Sequence, residues 1–277
     1  MLRMQLAIAS EFGDGINRAI RESGETDSPR TFEVLTRLHA RACQVTDEIL
    51  CLLEGGFADG AMARWRTLHE IAAVGYLIRR HGDELAERYE KHAAIESRRA
   101  AVQYQRHCEK LGQPPATAEE LAQIEAERAA LLIKYGPEFD KQQGWAAKHL
   151  NKQNPTITDI HEAAGVDHLG PYHRMASHNV HANPKGIYFK LGLFGEEDML
   201  LAGPSNAGLA DPGHAAVISL NQVSSVLLEF VPNLDHCVTL MVMHHLEGEI
   251  GPALLAAQQK LEADHETFRE TLQTAET

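Results

Sequence analysis

The sequence has only four cysteines, Cys43, Cys51, Cys108 and Cys237, and no two of them form a C-x-x-C pair. That spacing excludes a zinc ribbon and a disulfide-stapled scaffold, and leaves free, mostly buried thiols as the expectation. Long hydrophobic runs are also missing. The longest apolar stretches, Ile71 to Ile78 and Val238 to Met243, stop well before the roughly 18 residues that a membrane span requires. The opening residues, Met1-Leu-Arg-Met-Gln5, carry one Arg and lead to Glu11 and Asp14 with no apolar core, unlike a secretory leader. A soluble, cytoplasmic protein without a membrane partner is therefore expected. Phosphate-cradling glycine loops, the G-x-S-x-G elbow, the H-E-x-x-H zinc motif and the Rossmann glycine pattern are all absent, which removes the best-marked enzyme classes.

Aromatic residues make up 6% of the 277 positions, while apolar residues as a whole reach 44%. The apolar content is mostly Ala and Leu, which favour helices and have little β preference. Composition thus predicts an all-α protein, a helical bundle, built as a single elaborated domain over residues 1–277. A formal charge of −13 opposes non-specific attraction to nucleic acid. The charge is uneven, however: Arg64 to Lys110 holds ten Lys/Arg against seven Asp/Glu, a local +3 against −16 elsewhere. Anionic ligands would be drawn to that segment. Sixteen histidines add groups that gain charge as pH falls toward about 6.5.

Local signals divide the chain. A first helix is expected near residues 2 to 22. Ser28-Pro29 reads as an N-cap followed by Pro at the first helical position, and Gly55-Gly56 ends the helix that follows. Asp59 can cap a third helix that runs to His81-Gly82, and Asp83 opens a fourth toward Leu111. Thr117-Ala-Glu-Glu120 is a capping-box pattern, with Gly136-Pro137 closing its helix. Short helical pieces should occupy 137 to 170. Pro171 sits in the first turn of a helix expected to run through His181 to Asn183-Pro184. The alternation of Ile187, Phe189, Leu191 and Leu193 predicts a small β-hairpin insertion at about 187–202. Three final helices are expected, near 212–230, 232–247 and 251–273, separated by Pro232 and by Gly251-Pro252.

Three stretches could carry chemistry. Arg66, His69 and Glu70 lie three and four residues apart on one helix, close enough for a charge-assisted network. His69 also shares a stripe with Met62, Trp65, Ala72 and Tyr76, so a buried brace is as consistent with this pattern as a site. Tyr89, His92 and Glu96 share one face of the next helix, in surroundings so charged that a solvated surface accounts for most of it. In Tyr172 to Asn183, the residues Arg174, His178 and His181 form a predicted helical stripe, with Ser177 four residues before His181. These three are the catalytic candidates, and Arg66, His69, Glu70 and Ser177 the supporting ones. A His can act as general acid or base, and an Arg can neutralise charge on a phosphate. No cofactor is expected. The alternative is a divalent-metal site drawing on His69, His92, Glu96, His178 and His181, although the only Glu-x-x-His of the di-metal type is Glu262 to His265. A non-catalytic module that binds nucleotide without cleaving it is the third reading.

The segments Ala63 to Ala73, Glu87-Arg-Tyr89 and Tyr172 to Asn183, with its Ser-His-Asn-Val-His core, resemble bacterial helical proteins grouped as domain-of-unknown-function family 5677. The resemblance spans about residues 30–245. A second resemblance is to the HEPN superfamily, small helical domains many of which are metal-independent ribonucleases of toxin and phage-defence systems. Their signature is Arg, four to six residues, then His. Arg174 to His181 has six intervening residues and Arg64 to His69 has four. The residue after the Arg, usually polar in that superfamily, is Met175 or Trp65 here. This second resemblance implies RNA or nucleotide phosphate as partner, and a homodimer, because such sites are usually composed across two chains.

Overall fold

A computed structural model of the chain describes residues 1–24, 27–194 and 199–275. Eleven α-helices are present among them: α1 (Leu2–Ser23), α2 (Pro29–Glu54), α3 (Ala58–His81), α4 (Asp83–His107), α5 (Ala118–Tyr135), α6 (Ala147–Leu150), α7 (Ile157–Ala164), α8 (Gly170–Val180), α9 (Pro184–Tyr188), α10 (Ala210–Leu228) and α11 (Leu234–Ala275). Three short 3-10 turns lie at 137–140, 144–146 and 167–169. The protein is an all-α helical bundle, and no strand occurs among the described residues. No helix is long and apolar enough to cross a membrane among those residues.

The chain divides into two compact units. The first comprises Met1–Asp27, Leu35–Tyr76 and His168–Thr277, the second Ser28–Val34 and Leu77–Asp167. In the second unit Leu85, Ile95, Phe139 and Ile160 are fully buried. Arg88 is buried with them, and its guanidinium donates to the carbonyls of Trp145 at 2.9 Å and Gly144 at 3.3 Å and lies 4.9 Å from the Tyr135 ring. Carbonyl acceptors and an aromatic face replace the water that this cation gave up, which a buried guanidinium requires. Thr117 caps α5 as predicted: its Oγ1 accepts from Glu120 N at 3.2 Å while the Glu120 carboxylate accepts from Thr117 N at 2.8 Å.

The core of the first unit gathers around Ile49, Met62, Trp65, Leu68, Leu220 and Leu227. Most of α10 is buried, and two of its serines meet other helices: Ser219 Oγ accepts from Trp65 Nε1 at 2.9 Å, and Ser224 Oγ lies 3.1 Å from His39 Nε2. Each pairing removes the desolvation cost of a buried polar atom.

Four expectations are corrected. The region expected as a hairpin begins as helix, because Asn183 Oδ1 accepts from Gly186 N at 2.8 Å and Pro184 fills the first turn of α9. Ile187, Tyr188 and Phe189 are exposed, so their alternation does not report a buried strand face. The expected turn at 195–198 lies outside the described residues. The second correction concerns α11, which runs unbroken through Pro252 where two helices were expected. Proline deprives the carbonyl four residues earlier of its donor and crowds it with its ring. That residue is Gly248, at an exposed position with no side chain to crowd. Nearby, Gly251 packs against the His214 imidazole of α10, whose Nε2 lies 2.6 Å from where a Cβ would stand. Thirdly, the thiols are not mostly buried: Cys51 and Cys237 are exposed and Cys43 is half-buried. Finally, α8 ends at Val180, and His181 has extended backbone, φ −111° and ψ 143°, which takes it off the expected helical stripe.

Candidate functional site: the face of helix α8 and the cluster beneath it

Arg66 and Glu70, one turn apart on α3, pair at 3.0 Å between Nε and Oε1. His173 on α8 completes the cluster, its Nε2 lying 2.9 Å from Glu70 Oε1 and 3.1 Å from Arg66 Nε. Arg66 Nε–H donates to His173 Nε2 and at the same time lies within ion-pair distance of Glu70 Oε1, so the three groups meet at one point. A guanidinium and a carboxylate thereby offset each other's charge beside the imidazole. Their side chains retain 26%, 31% and 12% of their exposure, in the order Arg66, Glu70, His173, so the cluster is largely withdrawn from water.

His69 lies in the core. It is fully buried, stacked on Trp65 with centroids 5.2 Å apart, and 5.9 Å from the His173 ring. Arg64, the other Arg considered with His69, is turned to Glu48 and to Thr67 Oγ1 instead. This part of α3 therefore braces α8 from inside.

The residues on and just beyond α8 are placed differently. Arg174 and His181 are exposed, and neither side chain has a hydrogen-bond or ion-pair partner among the described residues. His178 is half-buried, four residues after Arg174 and so on the same helical face. Its Nδ1 lies 3.0 Å from Asn183 Nδ2. Ser177 Oγ donates to the carbonyl of His173 at 2.8 Å, a bond back into its own helix rather than toward His181. A Cβ on Gly186 would lie 2.0 Å from the His178 carbonyl oxygen, so α9 rests directly on the end of α8.

Of the sequence-derived residues, Arg66 and Glu70 are brought together, and through His173 they reach α8. Arg174 and His178 share a face, and His181 follows the helix end. His173 was missed. The signal for it was available in the run Leu169, His173, Ala176, whose i, i+4, i+7 spacing marks the inward face; Leu169 and Ala176 are both buried.

His92 and Glu96 belong to the second unit. His92 Nε2 lies 2.9 Å from the Lys141 carbonyl, and burial first of all pushes its pKa below the ordinary histidine value. Tyr89 stacks edge-on against Trp145, centroids 5.0 Å apart. Among the described residues no group of three His, Cys, Asp or Glu side chains is arranged to hold a metal ion. The cations of the locally basic segment are largely spent within the protein: Arg64 on Glu48, Arg66 on Glu70, Arg88 on carbonyls, Arg98 on Glu125 and Arg99 on Glu96.

These features define an all-α bundle protein with a neutralised Arg-Glu-His cluster supporting an Arg- and His-bearing helix. Within that class, the chain belongs to a family of unknown function (DUF5677), which matches residues 32–198. The match takes in α3 and α8 and ends before α10. No curated protein and no solved structure matches the chain.

Proposed function

We propose that the protein acts on RNA or nucleotide phosphates through Arg174, His178 and His181, as a HEPN-like, metal-independent ribonuclease of a toxin or defence system, working in the cytoplasm as a homodimer. One observation carries this reading: the side chains of Arg174 and His181 are exposed and unpaired among the described residues, whereas the neighbouring Arg66 is committed to Glu70. A cation left without an internal partner, beside imidazoles able to move protons, suits a phosphate whose charge rises during cleavage. Arg66, Glu70 and His173 would hold α8 in place without touching substrate.

The binding-only reading draws on a separate observation, the engagement of His178 Nδ1 by Asn183, which limits proton traffic at that ring. One experiment separates the two. Purified protein is incubated with end-labelled single-stranded RNA in excess EDTA, alongside His181→Ala and Arg174→Ala. The ribonuclease reading expects cleavage by the wild type and a loss of about 100-fold or more in His181→Ala. Absence of cleavage under every condition, or equal cleavage by His181→Ala, would sink it. Saturable RNA binding without turnover is the result that favours the non-catalytic module.

A further inference from the structure

The side chain of Asn183 makes two contacts that together fix its orientation. One end accepts from Gly186 N at 2.8 Å, and the other lies 3.0 Å from His178 Nδ1. A backbone N–H can only donate, so the end facing Gly186 is the amide oxygen, and the end facing His178 is the NH2 group, which can only donate. The ring nitrogen that it meets must therefore be an acceptor. The two-nitrogen ambiguity of an imidazole is resolved by the cap of a neighbouring helix.

We infer that Asn183 is a positioning residue that holds His178 as the neutral Nε2–H tautomer, making the α8 face a receptor for phosphate oxygen built from hydrogen-bond donors alone. His178 then offers its Nε2–H, and Arg174, one turn away on the same face, offers a guanidinium that has donors and no acceptor. Such a face satisfies an anionic oxygen and repels a cation. It also divides the labour among the histidines. Abstracting a proton through His178 Nε2 would require the opposite tautomer and the loss of the Asn183 bond, so proton abstraction falls to His181, which no such bond restrains. This inference rests on the reading of α8 as a phosphate-directed surface.

The test uses the full chain with ¹⁵N-labelled histidine, the His178 signals being identified by their disappearance in His178→Gln. Long-range proton–nitrogen spectra at neutral pH should show Nδ1 unprotonated and Nε2 protonated. Asn183→Asp keeps an oxygen for Gly186 N but presents a second oxygen to His178, so Nδ1 should become the protonated nitrogen. Asn183→Ser keeps a capping oxygen with no group facing the ring and no added charge, so both tautomers should appear. RNA affinity, measured with a labelled single-stranded oligonucleotide, should fall about tenfold in Asn183→Asp and about threefold in Asn183→Ser, in line with losing one charge-assisted hydrogen bond wholly or in part. A wild-type His178 found as Nδ1–H, or unmoved by Asn183→Asp, overturns the tautomer assignment. Inverted tautomers with unchanged RNA affinity in both variants overturn the donor role. Correct tautomers in a wild type that binds no RNA leave Asn183 in its role and refute the phosphate reading instead.

Discussion

Glu70 on α3 and His173 on α8 meet at 2.9 Å, the shortest link of a cluster that also holds Arg66. Glu70→Gln and His173→Ala should each lower stability by about 1 kcal/mol, the net worth of a hydrogen bond that is only partly withdrawn from solvent. Urea unfolding checks this as a lowered midpoint with unchanged slope. The double variant should cost less than the two single changes summed, because each removes the same contact. Strict additivity would show that the two residues act separately.

His39 gives the fold a dependence on pH. Burial drives its pKa down to about 4, with Asp14 opposing weakly. The unfolded value is near 6.5, so between those two values the unfolded chain holds the additional proton. Stability is therefore complete above about pH 6.5 and lost progressively as pH falls toward 4, by about 3 kcal/mol from this residue. Burial lowers His92 and His149 in the same direction. Replacing His39 with Gln should flatten the fall in melting temperature across that window. An unaltered pH profile would assign the dependence to the other two.

Gly186→Ala should act on α8 from outside. The new methyl would overlap the His178 carbonyl, only 2.0 Å away, and α9 would have to withdraw. A loss of about 1–3 kcal/mol is expected, as for other overpacked sites. The His178 ring signals should shift as well, which distinguishes local displacement from general loosening.

Thr117→Ala tests a helix end in the second unit. Removing the capping hydroxyl should cost about 1 kcal/mol. Faster amide exchange should be confined to the first turn of α5, with RNA binding unchanged.

Much of this architecture is legible in single residues. Ser28-Pro29, Gly55-Gly56 and Thr117 to Glu120 mark helix ends by hydrogen-bonding and φ restrictions that act within a few residues, and the structure follows them. Where the sequence misleads, the deciding contact is longer in range or competes with a stronger local one. The alternation from Ile187 suggests a strand, yet Asn183 caps a helix that starts at Pro184, three residues earlier. Pro252 suggests a break, yet the helix continues through it, with Leu254 packed on Gly213 of α10. At the candidate site, the i, i+4 spacing of Arg66 and Glu70 is enough to foresee their pairing. Their partner is not foreseen because Arg174 draws attention to the outer face of α8, while His173 lies on the inner one. The local signal for the inner face is the short run Leu169, His173, Ala176, in which only two residues are apolar.

Helix α11 is 42 residues long, which at 1.5 Å per residue is about 63 Å. Its last buried position is Gly251, beside the one rung that Pro252 removes from the hydrogen-bond ladder. The interruption thus coincides with the point where tertiary support gives way to a half-buried stripe through Leu254, Gln258, Leu261 and His265. Everything beyond it depends more on its own helical propensity. The rod is continuous in shape, but the packing that holds it changes character at Gly251.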